Sequence, residues 1–483
     1  MTVVDPRALL LSLCQESSEK GWLEFKSNRF EADETGQYVS GLANSAMLDH
    51  KKTAYLVFGV ENDTHKIVGT DIRLKKKTVG SQLFEHWLAR HIHPRISIDF
   101  IEFEVDSHHI EIIVIDPGYI SPVRFKNEEY IRVDSVQQHL RDYSERERAL
   151  WAITSRYSFE EGSALSHVTA EEIKERFHCE KLIISLNPNK KQISNVIDQL
   201  LMEGLILDDS QNRFDATNLL AIIAAKEISE FPLLATKAPR VITYKGTDKL
   251  HAIDDQTGSY GYGIAFSRLL DFIMGKIASK EEMIKGVRTK THAVPEITVR
   301  EILANALIHQ DFMSQTDRPR VEIFTDKVRL TNPGLPLVST DRFIDAPPKS
   351  RNKRLADLMN RMGLCEQRGS GIDRALDAIE AYALPAPTFQ DVEASTVVTI
   401  FGQRSFAEMS REDRIRACYQ HAALKYENGS TMSNASLRSR LGVSDKQYPQ
   451  VSIVIRESID LGRIRPLDED QAKRNARYVP WYA

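Results

Sequence analysis

Cysteine is scarce: Cys14, Cys179, Cys365 and Cys418 are the only four in 483 residues. Their wide spacing gives neither the close pairs of a zinc site nor the density of a disulfide scaffold, so a reducing, cytoplasmic setting is expected. Long apolar runs are missing too. The longest, Leu219 to Ala225, falls far short of the ~20 residues a membrane helix needs. The stretch Ala8 to Cys14 runs into Glu16 without a small-residue cleavage site, so it reads as a buried helix and not as a signal peptide. There is no excess of basic charge. Lys and Arg number 64 against 68 Asp and Glu, a net charge of −4, so any contact with nucleic acid must come from local basic patches. At 42% hydrophobic and 27% charged, the chain is neither disordered, collagenous nor membrane-spanning.

The length suggests about three domains, or four with small modules. The periodicity predicts a multidomain chain of α/β and α+β units. A first unit, 1–158, has a strand at Trp22–Lys26, a helix at Gln37–Ala46, a strand at Thr53–Val60 returning at Ile67–Gly69, a helix at Val79–His91 and paired strands at Ile96–Val105 and Ile110–Ile115. Residues 159–216 resemble a small winged helix, with a threonine-capped helix at Thr169–Phe177 and another at Gln192–Glu203. Residues 217–294 form an α/β connector with a long helix over Ile264–Met283. Residues 295–404 hold a helix from Pro295 to His309, strands, and helices at Lys353–Met362 and Ile372–Ala381. A charged helix opens the last module, 405–483.

The motifs are densest between 296 and 371. Glu301, Asn305 and His309 are spaced i, i+4, i+8 on one helix, so their side chains lie near one stripe. Asn332-Pro333-Gly334 ends a strand ahead of a proline-rich irregular segment, and Gly369-Ser370-Gly371 sits immediately before a helix. Backbone amides at a glycine-rich helix N-terminus can approach and hydrogen-bond phosphate. Taken in order, "REILANALIHQDF", "NPG.LP", "RN" and "E..GSGI.R" resemble the GHKL ATPase superfamily, in the divergent version that follows Schlafen AlbA-type domains in bacterial proteins. That resemblance implies a GHKL-like α/β sandwich binding ATP with Mg²⁺. Glu301 would polarise the attacking water, and Asn305 would help hold Mg²⁺ beside the phosphates. Asn332 stands where the superfamily has the aspartate that accepts the adenine amino group. Gly334 would let the chain pass the adenine, and Gly369, Ser370 and Gly371 would open amides toward the phosphates. The segment from Leu335 to Pro348 would be a lid.

Near the N-terminus, Glu24 and Lys26 share a strand face. Together "E....EFK", "GLAN", "VFGVEND", "KIVG" and "YIRVDS" resemble the Schlafen AlbA-type domain over residues 12 to 150. That resemblance implies a nucleic-acid-binding module or a metal-dependent nuclease using three acids. Glu19 and Glu24 match the first two. The third position falls at Asn62, flanked by Glu61 and Asp63, which would complete a Mg²⁺ or Mn²⁺ site. Lys26, Arg124, Lys126 and Arg132 would otherwise contact phosphate.

Toward the C-terminus, Ser433–Leu441 and Ser444–Leu461 resemble a helix-turn-helix with a wing from Ile464 to Tyr478, in which Arg438, Arg440 and Lys446 would face nucleic acid. Asp445 would repel phosphate there. The expected function is an ATP-binding, nucleic-acid-binding regulator. A Schlafen-like nuclease in bacterial defence and a non-enzymatic oligomeric scaffold are the alternatives. DNA is expected ahead of RNA as partner, no membrane is expected, and a homo-oligomer is the expected assembly.

Overall fold

The structure is a computed structural model and describes every residue except 1, 4, 17–19, 119–120, 134–135, 155–157, 189–194, 211, 285–286, 315–317, 348, 367–368 and 469–475. The chain separates into two compact units. One holds Met1–Ile183 and Gln192–Ala235; the other holds Ile184–Lys191 and Thr236–Ala483.

In the first unit, β1 (Leu23–Lys26) pairs in parallel with β2 (Ala54–Phe58). The hairpin β4 (Ile98–Val105) and β5 (His108–Ile115) completes the sheet in the order β1-β2-β5-β4. Strand β2 is buried along its length, as expected of an apolar β-branched and aromatic run covered on both faces. The helix α1 (Ala32–Leu48) is capped by the Glu31 carboxylate, which accepts from the Asp33 and Glu34 amides. It lies against a second small sheet, ordered Val136–His139, Glu128–Val133, Arg124–Phe125 and β3 (Ile92–His93).

The "GLAN" motif explains that packing. A Cβ at Gly41 would collide with the Gln137 side chain. Asn44, fully buried, donates to the Val123 carbonyl (2.8 Å) and the Tyr130 carbonyl (2.7 Å) and accepts from the Val123 amide (2.7 Å). The motif is therefore a clamp between helix and sheet. Helix α2 (Phe84–His91) is shorter than expected, because Thr78–Val79 and Gln82–Leu83 pair as a small hairpin ahead of it. Ile67 forms only an isolated bridge with Val60.

Between Ser163 and Ala224, a third sheet joins Thr2–Val3, Ser163–Val168, Arg213–Thr217 and Ile206–Ser210. Its helix Ala170–Arg176 carries the expected Thr169 cap, completed by Glu172 into a reciprocal capping box. The helix Cys179–Leu186 was not expected.

The second unit is built on a six-stranded sheet. In chain order its strands are β6 (Arg240–Tyr244), β7 (Ala252–Thr257), β8 (Arg320–Ile323), β9 (Lys327–Pro333), β10 (Thr388–Val392) and β11 (Ser395–Phe401). Across the sheet the order is β7-β6-β8-β9-β11-β10, with only β6 and β8 parallel. Helix α3 (Tyr262–Lys276) stops earlier than expected, since Ser279–Ile284 pairs antiparallel with Val287–His292. Helices α4 (Glu296–Ile308) and α6 (Gly371–Ala381) pack on each other, with α4 against β9, and α5 (Lys353–Arg361) lies beside α4. At the C-terminus α7 (Arg411–Glu427), α8 (Asn434–Arg440) and α9 (Tyr448–Asp460) pack with the hairpin Ile464–Pro466 and Tyr478–Pro480 around their own apolar core.

Candidate nucleotide site and charged clusters

A cavity of about 460 Å³ opens between α4, α6 and the β9–β11 face of the sheet, within the usual range for small-molecule sites. Its walls include Glu301, Asn305, Asn332, Gly369 and Gly371, and the segment from Leu335 to Pro347 covers part of it. Four motifs separated by up to seventy residues are thus brought to one hollow by the pairing of β9 with β11 and of α4 with α6.

At one end, Asn332 on β9 sits in register with Thr396 on β11, among Leu330, Val398 and Phe389. Asn332 is 6% exposed, and its Oδ1 has no hydrogen-bond partner among the described residues. A buried acceptor without a donor costs roughly 1–3 kcal/mol.

At the other end lies the N-terminus of α6. Ser370 occupies its cap position without a side-chain hydrogen bond, so the first amides of the helix are not satisfied by the usual capping oxygen. A Cβ at Gly371 would lie 2.8 Å from Glu301 Oε2, so glycine lets helix backbone and carboxylate meet. Gly369 and Gly334 adopt φ of +79° and +113°, conformations that exclude most side chains.

Glu301 is 2% exposed. Burial raises its pKa, opposed by Arg374 and Arg300. Arg374 donates to Glu301 Oε1 at 2.9 Å and reaches Glu366 at 3.4 Å. Arg374 stands in the "GSGI.R" motif, whose glycines alone suggested a role from sequence. Asn352 of the "RN" motif donates to the Ile308 and Gln310 carbonyls (2.7 and 2.8 Å) and so fixes the end of α4. His309 lines the cavity, and burial together with Arg351 lowers its pKa to about 4.

Of the acids expected to bind metal in the first unit, the described ones do not gather. Glu19 lies outside the described residues. Glu24 is buried, with Oε1 held by Lys26 at 2.5 Å and Oε2 by Arg132. Lys26 also donates to Tyr38 Oη at 2.9 Å. Glu61 and Asp63 are exposed, and Glu61 accepts from Thr64. Among the described residues, the group of three side chains close enough to share a cation is Glu102, His109 and Glu111, none of them an expected ligand.

Two expected phosphate contacts must be corrected. Arg132, with a side chain 0% exposed, and Arg440, 4% exposed, are interior residues and cannot meet a phosphate backbone. Arg132 neutralises Glu24; Arg440 pairs with Glu380 at 3.1 Å and donates to the Leu384 carbonyl at 2.9 Å. Of the other residues, Lys126 pairs with Asp33 and Arg438 with Asp445, while Arg124 and Lys446 are exposed. Arg132 and Lys126 meet partners 108 and 93 residues away, which local spacing cannot reveal, whereas Arg438 and Asp445 are 7 apart.

This architecture combines two recognisable classes of domain. Residues 19–141 match the family model described as Schlafen, AlbA_2, and residues 317–400 match the model described as Putative ATP-dependent DNA helicase recG C-terminal. The chain thus pairs an AlbA-type region with a C-terminal ATPase-like region. Helix α4, with Glu301 and Asn305, lies ahead of the second matched range. No curated protein matches. Among solved structures, the DIP2311 protein from Corynebacterium diphtheriae is similar at 16% identity, over 98% of this chain and 96% of its own, with a TM-score of 0.42. Among the described residues no helix is long and apolar enough to cross a membrane.

Proposed function

We propose that the chain is an ATP-binding, nucleic-acid-associated regulator whose nucleotide sits in the cavity between α4, α6 and the sheet. The observation that carries the reading is the Asn332 Oδ1: a buried, unpaired acceptor on the cavity wall, at the position the GHKL resemblance gives to recognition of the adenine amino group. A purine amino group satisfies it, and the apolar side chains around it suit the faces of a base. The uncapped first amides of α6 suit phosphates.

Mg²⁺ would enter with the phosphates, for which Asn305 offers an amide oxygen on the same wall. The metal supplies charge neutralisation there. Glu301 is the carboxylate assigned to accept the water proton, and Arg374 holds it in place. The AlbA-type region supplies nucleic-acid contact in this reading. Regulation is preferred to cleavage because both oxygens of Glu24 are engaged by cations, which leaves that carboxylate poorly placed to hold a metal.

Thermal melting of the full chain with Mg²⁺ and ATP tests the binding: the transition should rise with nucleotide by mass action. No rise at millimolar nucleotide rejects the site. Glu301→Gln should keep that rise and lose turnover, and undiminished turnover would remove Glu301 from the role.

A further inference from the structure

The first unit contains a basic surface that the motifs did not indicate. Between Lys66 and Arg95 the chain carries seven Lys and Arg against two acids, in a protein whose net charge is −4. The fold places two of them, Arg90 and Arg95, in the lining of one groove of about 560 Å³, together with Gln82 and His86, over Ile92 and Ile96.

Helix α2 explains the arrangement. Phe84, Trp87 and Leu88 face the core, which turns His86 and Arg90, four residues apart, outward on one stripe. Strand Ile92–His93 then pairs with Arg124–Phe125, setting exposed His93 directly opposite exposed Arg124. The turn Leu74–Lys76 packs beside the same helix and adds exposed Lys76.

The lack of partners separates these side chains from the rest. Lys26, Lys126, Arg132, Arg438 and Arg440 are each committed to a carboxylate. Among the described residues the side chains of Lys76, His86, Arg90 and Arg95 have no hydrogen-bond or ion-pair partner. Exposed, unpaired guanidinium groups on the rim of a concave surface are what a phosphodiester backbone requires: charge to neutralise, donors free to bond, and counterions to release. By contrast, the exposed face of α9, the expected recognition helix, presents Tyr448, Ile453, Asp460 and a single Arg456.

We propose that the groove lined by His86, Arg90 and Arg95 is where the AlbA-type region seats the sugar–phosphate backbone of DNA. The proposal rests on the nucleic-acid reading above and makes it specific to one face.

The test is a salt titration of DNA affinity for the full-length protein and for Arg90→Glu/Arg95→Glu, with an RNA duplex of the same sequence as the second arm. Loss of two phosphate contacts should lower the slope of log affinity against log salt by about two, and affinity at low salt should fall at least about tenfold. Because neither side chain has a partner, the melting temperature should be unchanged. Arg90→Gln/Arg95→Gln repeats the test without charge reversal and should lose less. Wild-type binding with an unaltered double variant overturns this groove and leaves the nucleic-acid reading standing. Preference for RNA overturns the assignment to DNA. Absence of binding to either duplex at low salt removes the reading itself.

Discussion

Replacing Asn332 by leucine separates a ligand-recognition residue from a structural one by the sign of two effects. Asn332 is 6% exposed, its Oδ1 is unpaired, and its neighbours Leu330, Val398 and Phe389 are apolar. An unsatisfied buried acceptor costs about 1–3 kcal/mol, and an apolar group of similar shape removes that cost. Asn332→Leu should therefore stabilise the ligand-free protein by up to about that amount, a rise of roughly 2–4 °C per kcal/mol for a unit of this size. The same change leaves a bound purine amino group without its acceptor, so affinity should fall by about ten- to a hundredfold. Differential scanning calorimetry across a nucleotide series reads both effects in one experiment. The reasoning fails if the variant is less stable without ligand and keeps the full nucleotide-dependent shift, because Asn332 would then be holding the fold and not a base.

Three further outcomes follow from the same geometry. Burial and Arg351 lower the His309 pKa from 6.5 to about 4, so folding favours the neutral imidazole. Its contribution is complete above about 6.5 and is lost as pH falls toward about 4, on the order of 3 kcal/mol. His309→Asn should flatten that part of the stability–pH curve, and an unchanged curve would refute the role. Arg440→Ala leaves Glu380 with only its His421 contact and should destabilise the C-terminal helices by about 1–3 kcal/mol; urea unfolding measures this, and DNA affinity of the folded variant should not change. Asn332→Asp removes the amide donor that can serve a 6-oxo purine, so competition between ATP and GTP should shift at least about tenfold toward ATP.

What could be read from the sequence was whatever depends on neighbours within a few turns. The stripe of Glu301 and Asn305 follows from the helical repeat, and the two do line one cavity. The Thr169 cap and the antiparallel strands flanking Asp106–His109 are equally local, and both are present. The destinations of charges were not legible. Arg132 meets Glu24 across 108 residues and Arg440 meets Glu380 across 60, so basic residues that read as phosphate contacts are interior counter-ions. Arg90 and Arg95 carry no local signal for the converse reason, since what sets them apart is the lack of a partner, which only tertiary structure decides. The helical pattern of α3 runs past Lys276 because the charged residues there suit a helix as well as a strand, and pairing of Ser279–Ile284 with Val287–His292 makes them a strand.

The most direct test of the central claim is isothermal titration of the full-length protein with ATP in the presence of Mg²⁺, beside Gly371→Val. A side chain there would enter the space of the Glu301 carboxylate, 2.8 Å from the first added carbon. The account predicts one saturable nucleotide site per chain in the wild type and its loss in the variant, with the variant still folded by circular dichroism. Absence of saturable binding at millimolar nucleotide, or equal binding by a folded Gly371→Val, contradicts it.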